Sequence, residues 1–161
     1  MLNRRFLLAH PAHFIALGAG SGLSRFAPGT AGTLWAWAVF LLLQQWLTPL
    51  ELGVLIAAST LVGWWACTVT ARHMGVADPG AIVWDEVIAF WLILWLVTPT
   101  TFGGQLGAFL LFRYFDAAKP GPVAWADKLF KGFGWRGGWG ILFDDLVAAF
   151  CTLLVIALWR F

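Results

Sequence analysis

Three short motifs of this chain carry most of its acidic side chains, and each motif borders a long apolar run. They contain six of the eight Asp and Glu residues: Asp78, Asp85, Glu86, Asp116, Asp144 and Asp145. A carboxylate at the centre of a bilayer costs on the order of 3 kcal/mol, so such groups are kept where they have a function. Carboxylate oxygens are hard ligands that favour Mg²⁺ or a similar divalent ion. The motifs therefore predict a charged, metal-binding active site beside a membrane.

The acidic residues are expected to lie where helices begin. We place Asp85 and Glu86 in the first turn of one helix and Asp144 and Asp145 near the start of another, where the helix dipole favours ionised carboxylates. Four or five such charges in one place repel one another unless a cation neutralises them. Any single pair is also explained as an interfacial helix cap, but three converging motifs favour a shared ion.

Basic residues accompany the second acidic motif. Arg113, Asp116 and Lys119 recur every third residue, so they share one face if their helix continues to Lys119. This combination can hold both a metal ion and a phosphate group. Arg113 and Asp116 alone also fit a simple salt bridge worth a few tenths of a kcal/mol. Lys119-Pro120 is expected to end the helix, because proline cannot continue it.

A segment rich in glycine and hydroxyl side chains, residues 18–33, precedes the first long apolar run. Such a loop can offer backbone N–H groups to phosphate. It is neither a Walker A sequence nor a dinucleotide-binding fingerprint, and close helix packing through glycine explains it equally well. Thr30 or Thr33 could also act as a helix N-cap without any ligand.

Composition places the chain in a membrane. Of its 161 residues, 61% are hydrophobic and only 11% are charged, whereas about a quarter of the residues in soluble domains are charged. The first residues lead into a Gly-rich stretch rather than an apolar run, so we expect no cleaved signal peptide. A net charge of +2 without a Lys/Arg cluster argues against nucleic acid as a partner.

The histidines and cysteines are expected to have no catalytic role. His10, His13 and His73 show no metal-ligand spacing along the chain. Cys67 and Cys151 lie in apolar runs, where a thiol packs as a small hydrophobic group. Zinc and redox chemistry are therefore not predicted.

Five apolar segments must position the acidic motifs. They cover residues 31–47, 50–71, 82–97, 102–115 and 141–159. A membrane-spanning helix needs about 20 residues, so the third and fourth segments are short. The pattern predicts an all-α, polytopic membrane helical bundle with about five transmembrane helices, in a single domain over residues 1–161.

Five crossings would bring all three acidic motifs to one side of the membrane, because helices 1, 3 and 5 start there and helices 2 and 4 end there. Nine of the ten Lys and Arg residues fall on the same side, and only Arg160 falls opposite. Lys and Arg are enriched in short cytoplasmic loops, so the active site is expected to face the cytoplasm. This topology depends on the fourth segment crossing the membrane.

The chain resembles the phosphatidylglycerophosphatase A family of bacterial membrane enzymes. The resemblance rests on four motifs in the same order: Gly20-Ser21-Gly22-Leu23-Ser24 with Ala27-Pro28-Gly29-Thr30, Gly80-Ala81-Ile82-Val83-Trp84-Asp85-Glu86, Phe112-Arg113 with Asp116 and Lys119-Pro120, and Gly137-Gly138 with Gly140-Ile141 and Asp144-Asp145. The chain departs from the family pattern at Arg25, where we would expect proline, at Gly121, and in a longer loop over residues 130–139.

The resemblance implies a Mg²⁺-dependent phosphatase of the bacterial inner membrane, which removes the terminal phosphate of phosphatidylglycerophosphate at the cytoplasmic leaflet. In this interpretation, five carboxylates supply the metal ligands and a general base: Asp85, Glu86, Asp116, Asp144 and Asp145. Six residues hold the substrate phosphate: Ser21, Ser24, Arg25, Thr30, Arg113 and Lys119. The identity of the base and the oligomeric state stay open.

Two other functions fit the same residues. A phosphatase for another membrane or isoprenoid phosphomonoester would use the same metal chemistry with a different pocket. A cation carrier would also use acidic residues in a membrane, but it should place them near mid-span along a path. The acidic motifs instead cluster at one end of the predicted helices.

Overall fold

The computed structural model describes residues 2–160, and over that range it is all-helical, with 79% helix and no strand. Two short helices and a 3₁₀ turn, Gly18–Leu23, precede six further helices. The helices are α1 (Arg4–Ala9), α2 (Pro11–Ala16), α3 (Pro28–Leu43), α4 (Pro49–Met74), α5 (Trp84–Val97), α6 (Phe102–Ala118), α7 (Pro122–Leu129) and α8 (Gly134–Arg160). This confirms the predicted all-α class.

Local sequence signals set the ends of the longer helices. At the start of α4, the Thr48 hydroxyl accepts from the Glu51 N–H, and the Glu51 carboxylate accepts from the Thr48 N–H at 2.7 Å. This reciprocal capping satisfies two donors that the helix leaves free. The same helix ends at Gly75, whose φ of 66° is favourable for glycine. Helix α6 ends at Ala118, and the residue that follows it, Lys119, adopts a left-handed conformation.

Two helices are long and apolar enough to cross a membrane. They are α4 and α8, with mean hydropathies of 1.8 and 2.3 over their most apolar windows. Helices α3, α5 and α6 have 16, 14 and 17 residues, which is less than the roughly 20 residues of an ordinary span. The structure therefore supports two candidate spans, and the predicted number of five is not confirmed.

Helix α5 lies at the centre of the bundle, packed against α3, α4 and α8. Its side chains Phe90, Ile93 and Leu94 are buried within the main apolar cluster. At its C-terminal end, the Trp95 indole N–H donates to Pro49 O at 2.8 Å, and the Arg160 guanidinium lies against Val97 O at 3.3 Å. The start of α4 and the end of α8 therefore lie at that end of α5. The three acidic motifs lie at the opposite end of the bundle.

The structure differs from the predicted elements at three places. Helices α1, α2 and α7 were not predicted, because segments of six to eight residues carry too little periodicity to be recognised. Helix α5 begins at Trp84, two residues after the start of the predicted segment 82–97. Helix α8 begins at Gly134, so the glycines before residue 141 lie inside a helix, where Gly138 packs directly against Thr68 of α4.

We expect Gly63→Ala to destabilise the bundle, because a Cβ at this position in α4 would collide with the Trp84 indole and with Ile88. The indole cannot move freely, since its N–H donates to Ser59 O at 3.1 Å. Gly107→Ala in α6 is the matched control, because its Cβ would meet nothing within 4 Å. Both substitutions replace a glycine inside a helix by alanine, so the gain in helix propensity is the same in the two variants. Thermal unfolding in detergent should show Gly63→Ala to be less stable by about 1–3 kcal/mol. Equal stability of the two variants would contradict the proposed packing.

Candidate active site

Three carboxylates from two helices meet at the end of the bundle where α5 begins. Asp85 and Glu86 lie in the first turn of α5, and Asp145 lies in the fourth turn of α8. One oxygen of each group lies within 4.8 Å of the others. Glu86 and Asp145 are buried, and Asp85 is half-buried. The Val83 N–H, which donates to Ala16 O at 2.9 Å, fixes the position of this first turn.

Each of these carboxylates has a buried oxygen without a hydrogen-bond partner among the described residues. The three atoms are Asp85 Oδ1, Glu86 Oε2 and Asp145 Oδ2. Buried polar atoms are normally paired, and an uncompensated buried charge costs several kcal/mol. A hard divalent cation would satisfy all three oxygens at once. This donor set therefore fits the Mg²⁺ ion that the sequence analysis predicted.

Arg113 links this carboxylate cluster to Asp116. Its guanidinium forms a hydrogen-bonded ion pair with Asp116 and lies 3.8 Å from Glu86 Oε1. The Arg113 Nε atom is buried and has no partner among the described residues. At the start of α3, Gly29 packs so closely that an added Cβ would touch both Glu86 and Arg113. The absence of a side chain at residue 29 therefore leaves room for this charged group.

Asp144 faces a second group of charges and not the three-carboxylate cluster. Lys119 Nζ lies 2.6 Å from Asp144 Oδ2 and 2.7 Å from Asp127 Oδ1. Lys131 Nζ lies 3.1 Å from the same Asp127 oxygen and 3.8 Å from Asp78 Oδ2. The three-residue spacing predicted that Lys119 shares a helix face with Arg113. It does not, because α6 ends at Ala118. It turns towards α7 and α8 instead.

Asp127 is a site residue that the sequence analysis missed. It lies on α7, a helix that was not predicted, so nothing indicated its proximity to Lys119. One signal for Asp127 was available in the sequence: Lys131 follows it by four residues, a spacing at which an acidic and a basic residue often form an ion pair. The charge network over Lys119, Asp127 and Lys131 attaches α7 to α8 through the ion pair of Lys119 with Asp144.

The pKa values of Lys119 and Asp127 favour the charged forms of these two groups. Burial alone would lower the pKa of Lys119, but its hydrogen bonds with Asp127 and Asp144 raise that pKa above the usual range. Burial alone would raise the pKa of Asp127, but its hydrogen bonds with Lys119 and Lys131 lower that pKa below its usual range. Both groups are therefore ionised at neutral pH.

The glycine-rich loop is held mainly by its own hydrogen bonds. The Ser21 hydroxyl donates to Gly18 O at 2.9 Å, and the exposed Ser24 hydroxyl donates to Phe26 O at 2.7 Å. Arg25 is exposed, without an ion pair among the described residues. Thr30 is half-buried in the first turn of α3 and is not the N-cap, which is Ala27. Within residues 2–160, none of these four side chains forms a hydrogen bond or ion pair with the carboxylates. Their role in binding phosphate stays a prediction.

Asp144 and Asp145 were predicted to lie near the start of a helix, and this prediction is wrong. Helix α8 begins ten residues before Asp144, so the dipole of its first turn does not act on these groups. Asp85 and Glu86 do lie in the first turn of α5, as predicted. The two carboxylate pairs therefore differ in what stabilises their charge.

A helical bundle with acidic oxygens gathered beside arginine and lysine at one end is an arrangement suited to enzymes that act on phosphate groups. The model of the phosphatidylglycerophosphatase A family matches residues 14–160, and the chain belongs to this family. The enzyme is therefore a phosphatase. This assignment agrees with the family resemblance of the four motifs.

Three relatives cover most of the chain. Phosphatidylglycerophosphatase A of Escherichia coli is 38% identical over 89% of this chain and 80% of its own length. The Haemophilus influenzae protein of the same name is 35% identical over 95% and 91%. A Bacteroides thetaiotaomicron protein, provisionally named as a phosphatidylinositol-3-phosphatase, is 35% identical over 91% of both chains. No solved structure matches the chain.

We expect Asp127→Asn to destabilise the fold at neutral pH, because it removes an ion pair with Lys119. Folding lowers the pKa of Asp127, so its contribution is present above the unfolded value of 3.8 and is lost at lower pH. Folding raises the pKa of Lys119, so its contribution is fully present below 10.5. Since Lys119 is partly exposed, the expected loss in unfolding free energy is about 1 kcal/mol at pH 7. The loss should be smaller at about pH 3, because the contribution of Asp127 declines as the pH falls below 3.8.

Denaturant unfolding at both pH values measures this difference. Lys128→Gln is the control, because Lys128 is an exposed neighbour that forms no ion pair in the described part of the chain. It should change the free energy of unfolding by less than about 0.5 kcal/mol. An Asp127→Asn variant as stable as the wild type at pH 7 would show that the network contributes nothing.

Proposed function

We propose that this enzyme hydrolyses the terminal phosphate of phosphatidylglycerophosphate to give phosphatidylglycerol and inorganic phosphate. One observation carries the proposal: three carboxylates, each with a buried and unpartnered oxygen, form a cluster next to Arg113. In the reaction, a water oxygen bonds to phosphorus and the bond from phosphorus to the glycerol oxygen breaks. The proton lost by water goes to a carboxylate, and the departing glycerol oxygen acquires a proton.

Mg²⁺ would be held by Asp85, Glu86 and Asp145, whose free oxygens form the cluster. When bound, this ion would neutralise charge on the phosphoryl oxygens and lower the pKa of water. Asp116 and Asp144 are placed for a different task, since each already forms an ion pair with a basic side chain. They would orient Arg113 and Lys119, and they would contribute less than the other three carboxylates to binding the ion.

Arg113 and Lys119 would bind the phosphate. Arg113 carries more donors than Asp116 can accept, and its planar guanidinium suits two oxygens of a phosphate group. The Lys119 ammonium has three donors and uses two of them on Asp127 and Asp144. The remaining donor is available to a substrate oxygen. Ser21, Ser24, Arg25 and Thr30 line the loop that would cover the phosphate.

We also propose that the enzyme is a multi-pass protein of the bacterial inner membrane, with the active site facing the cytoplasm. Helices α4 and α8 are the candidate spans, and α3, α5 and α6 would complete five crossings. Support comes from the nine Lys and Arg residues at the acidic end of the predicted helices, against Arg160 alone at the other. The acyl chains of the substrate would remain in the bilayer.

The activity can be tested with purified protein in detergent, by measuring phosphate released from phosphatidylglycerophosphate. We expect release to require Mg²⁺ and to stop when a chelator is added. Asp85→Asn and Asp145→Asn should each lower kcat by about 100-fold or more, because each removes a charge from the cluster. Glu51→Gln is the matched control, since this exposed carboxylate lies at the opposite end of α4 and glutamine retains its capping role.

The same assay can reject the proposed metal site. Phosphate release that is indifferent to the chelator and to Asp85→Asn would exclude it. Cation transport into liposomes without hydrolysis would favour the carrier alternative.

A second headgroup deserves a direct comparison, because the Bacteroides thetaiotaomicron relative is named for phosphatidylinositol-3-phosphate. We expect kcat/KM for phosphatidylglycerophosphate to exceed that for phosphatidylinositol-3-phosphate and for an isoprenoid phosphomonoester by about tenfold or more. The expectation rests on the family and on two relatives of the same name. Competition between the substrates in mixed micelles measures the ratio directly. A reversed ratio would leave the phosphatase chemistry intact and overturn the assigned substrate.

A further inference from the structure

All three histidines of the chain lie together at the junction of α2 and α4. His10 caps the start of α2, His13 lies within α2, and His73 lies in the last turn of α4. Their ring centroids are 5.0 Å apart for His13 and His73, and 5.5 Å apart for each pair that includes His10. This proximity was not predicted, because His73 is 60 residues from His13 in sequence.

The orientation of the His13 ring is fixed on two sides. Its Nδ1 atom lies 2.8 Å from Phe6 O, and the Phe6 ring stacks on it at 4.0 Å with an interplanar angle of 4°. A carbonyl oxygen only accepts hydrogen bonds, so Nδ1 must carry the proton. In neutral His13 the lone pair is therefore on Nε2. This is the arrangement found in metal-ligating histidines, whose other ring nitrogen donates to a carbonyl or carboxylate.

His13 Nε2 and His73 Nδ1 form a hydrogen bond, in which the His73 Nδ1–H donates to the lone pair of His13 Nε2. His13 Nε2 and His73 Nδ1 are 2.8 Å apart, and no Asp or Glu forms an ion pair with either ring among residues 2–160. His13 is buried, whereas His73 is exposed and can be reached from solvent. When the proton of His73 is on its Nε2 instead, both facing nitrogens present lone pairs, and a metal ion can take the place of the shared proton.

His10 is oriented differently. Its Nδ1 accepts from the Ala12 N–H at 3.1 Å, which caps α2. Since Nδ1 is an acceptor, the proton of neutral His10 is on Nε2, and neither nitrogen has a free lone pair. His10 therefore acts as a helix cap beside the pair.

We propose that His13 Nε2 and His73 Nδ1 bind a divalent transition-metal ion of the Zn²⁺ class. Imidazole nitrogens select such borderline ions, whereas carboxylate oxygens select Mg²⁺, so this site is chemically distinct from the carboxylate cluster. Nitrogens on one tetrahedral Zn²⁺ lie about 3.3 Å apart, given metal–nitrogen bonds of about 2.0–2.1 Å. The observed pair has to open by only about half an ångström to admit the ion.

The ion would tie α2 to α4, and its site is independent of the proposed phosphatase reaction. The C-terminal residue of α2, Ala16, accepts the hydrogen bond from the Val83 N–H immediately before the first turn of α5. A metal cross-link between His13 and His73 would therefore stabilise the frame that holds Asp85. It adds no group to the reaction itself.

Co²⁺ is a suitable probe, because its visible absorption reports nitrogen ligands. The full chain, with any purification tag removed, is held in detergent with excess Mg²⁺ to occupy the carboxylate cluster. We expect one Co²⁺ per chain with a visible absorption band, displaced by Zn²⁺. His73→Gln should weaken binding at least tenfold and abolish the rise in Tm that Zn²⁺ produces in the wild type.

His10→Asn is the matched control, since asparagine retains an acceptor for the α2 cap and removes an imidazole. It should retain Co²⁺ affinity to within about threefold, as expected if His10 is not a ligand. His13→Gln should lose affinity like His73→Gln. If the His13 variant fails to fold, the exposed His73 position still decides the question.

Three results would overturn the proposal. They are the absence of Co²⁺ absorption in the wild type, unchanged affinity in His73→Gln, and a loss in His10→Asn as large as that in His73→Gln. Binding that disappears in Asp85→Asn and persists in both ligand variants would place the ion in the carboxylate cluster, which also contradicts it.

Discussion

The repulsion among carboxylates at one end of the bundle is the constraint on which the rest of the site depends. Asp85, Glu86 and Asp145 are held within 4.8 Å of one another with unpartnered oxygens. Bringing such charges out of water without compensation costs several kcal/mol per ion. The protein provides Arg113 beside Glu86, but a single guanidinium shared with Asp116 does not neutralise three acids. The proposed divalent cation would supply the missing charge, and the phosphate of a substrate would restore the balance when it binds.

The acidic residues divide into two groups with different physical roles. Asp116 and Asp144 pair with Arg113 and Lys119, and these ion pairs hold basic side chains at the edge of the site. The oxygens of the other three acids lack such partners. This division follows from helix geometry, since consecutive residues such as Asp144 and Asp145 point in directions about 100° apart. One side of α8 therefore faces the carboxylates of α5, while the other faces α7 and Lys119.

Sequence analysis predicted the all-α class, the order of the longer helices and the convergence of the three acidic motifs, because long apolar runs and buried charges are strong signals. It placed Asp144 and Asp145 near a helix start, since the glycines before residue 141 resemble a helix boundary. These glycines instead allow close helix packing, since Gly138 lies directly against Thr68 of α4. Short helices such as α7 gave no periodic signal, so Asp127 was missed. The His13–His73 pair could not be predicted, because it depends on how α2 docks against α4.

The lengths of the helices explain why loops surround the site. Helix α8 has 27 residues and is about 40 Å long, whereas the hydrocarbon core is about 30 Å thick. If α8 spans the membrane with Arg160 at the far interface, its excess length lies on the side of the active site. Asp145, about 16 Å from the start of the helix, then lies just inside the hydrocarbon boundary. Helix α7 and the glycine-rich turn would form a polar rim above it. Such a rim lets water and a lipid phosphate reach the carboxylates while the acyl chains stay in the bilayer.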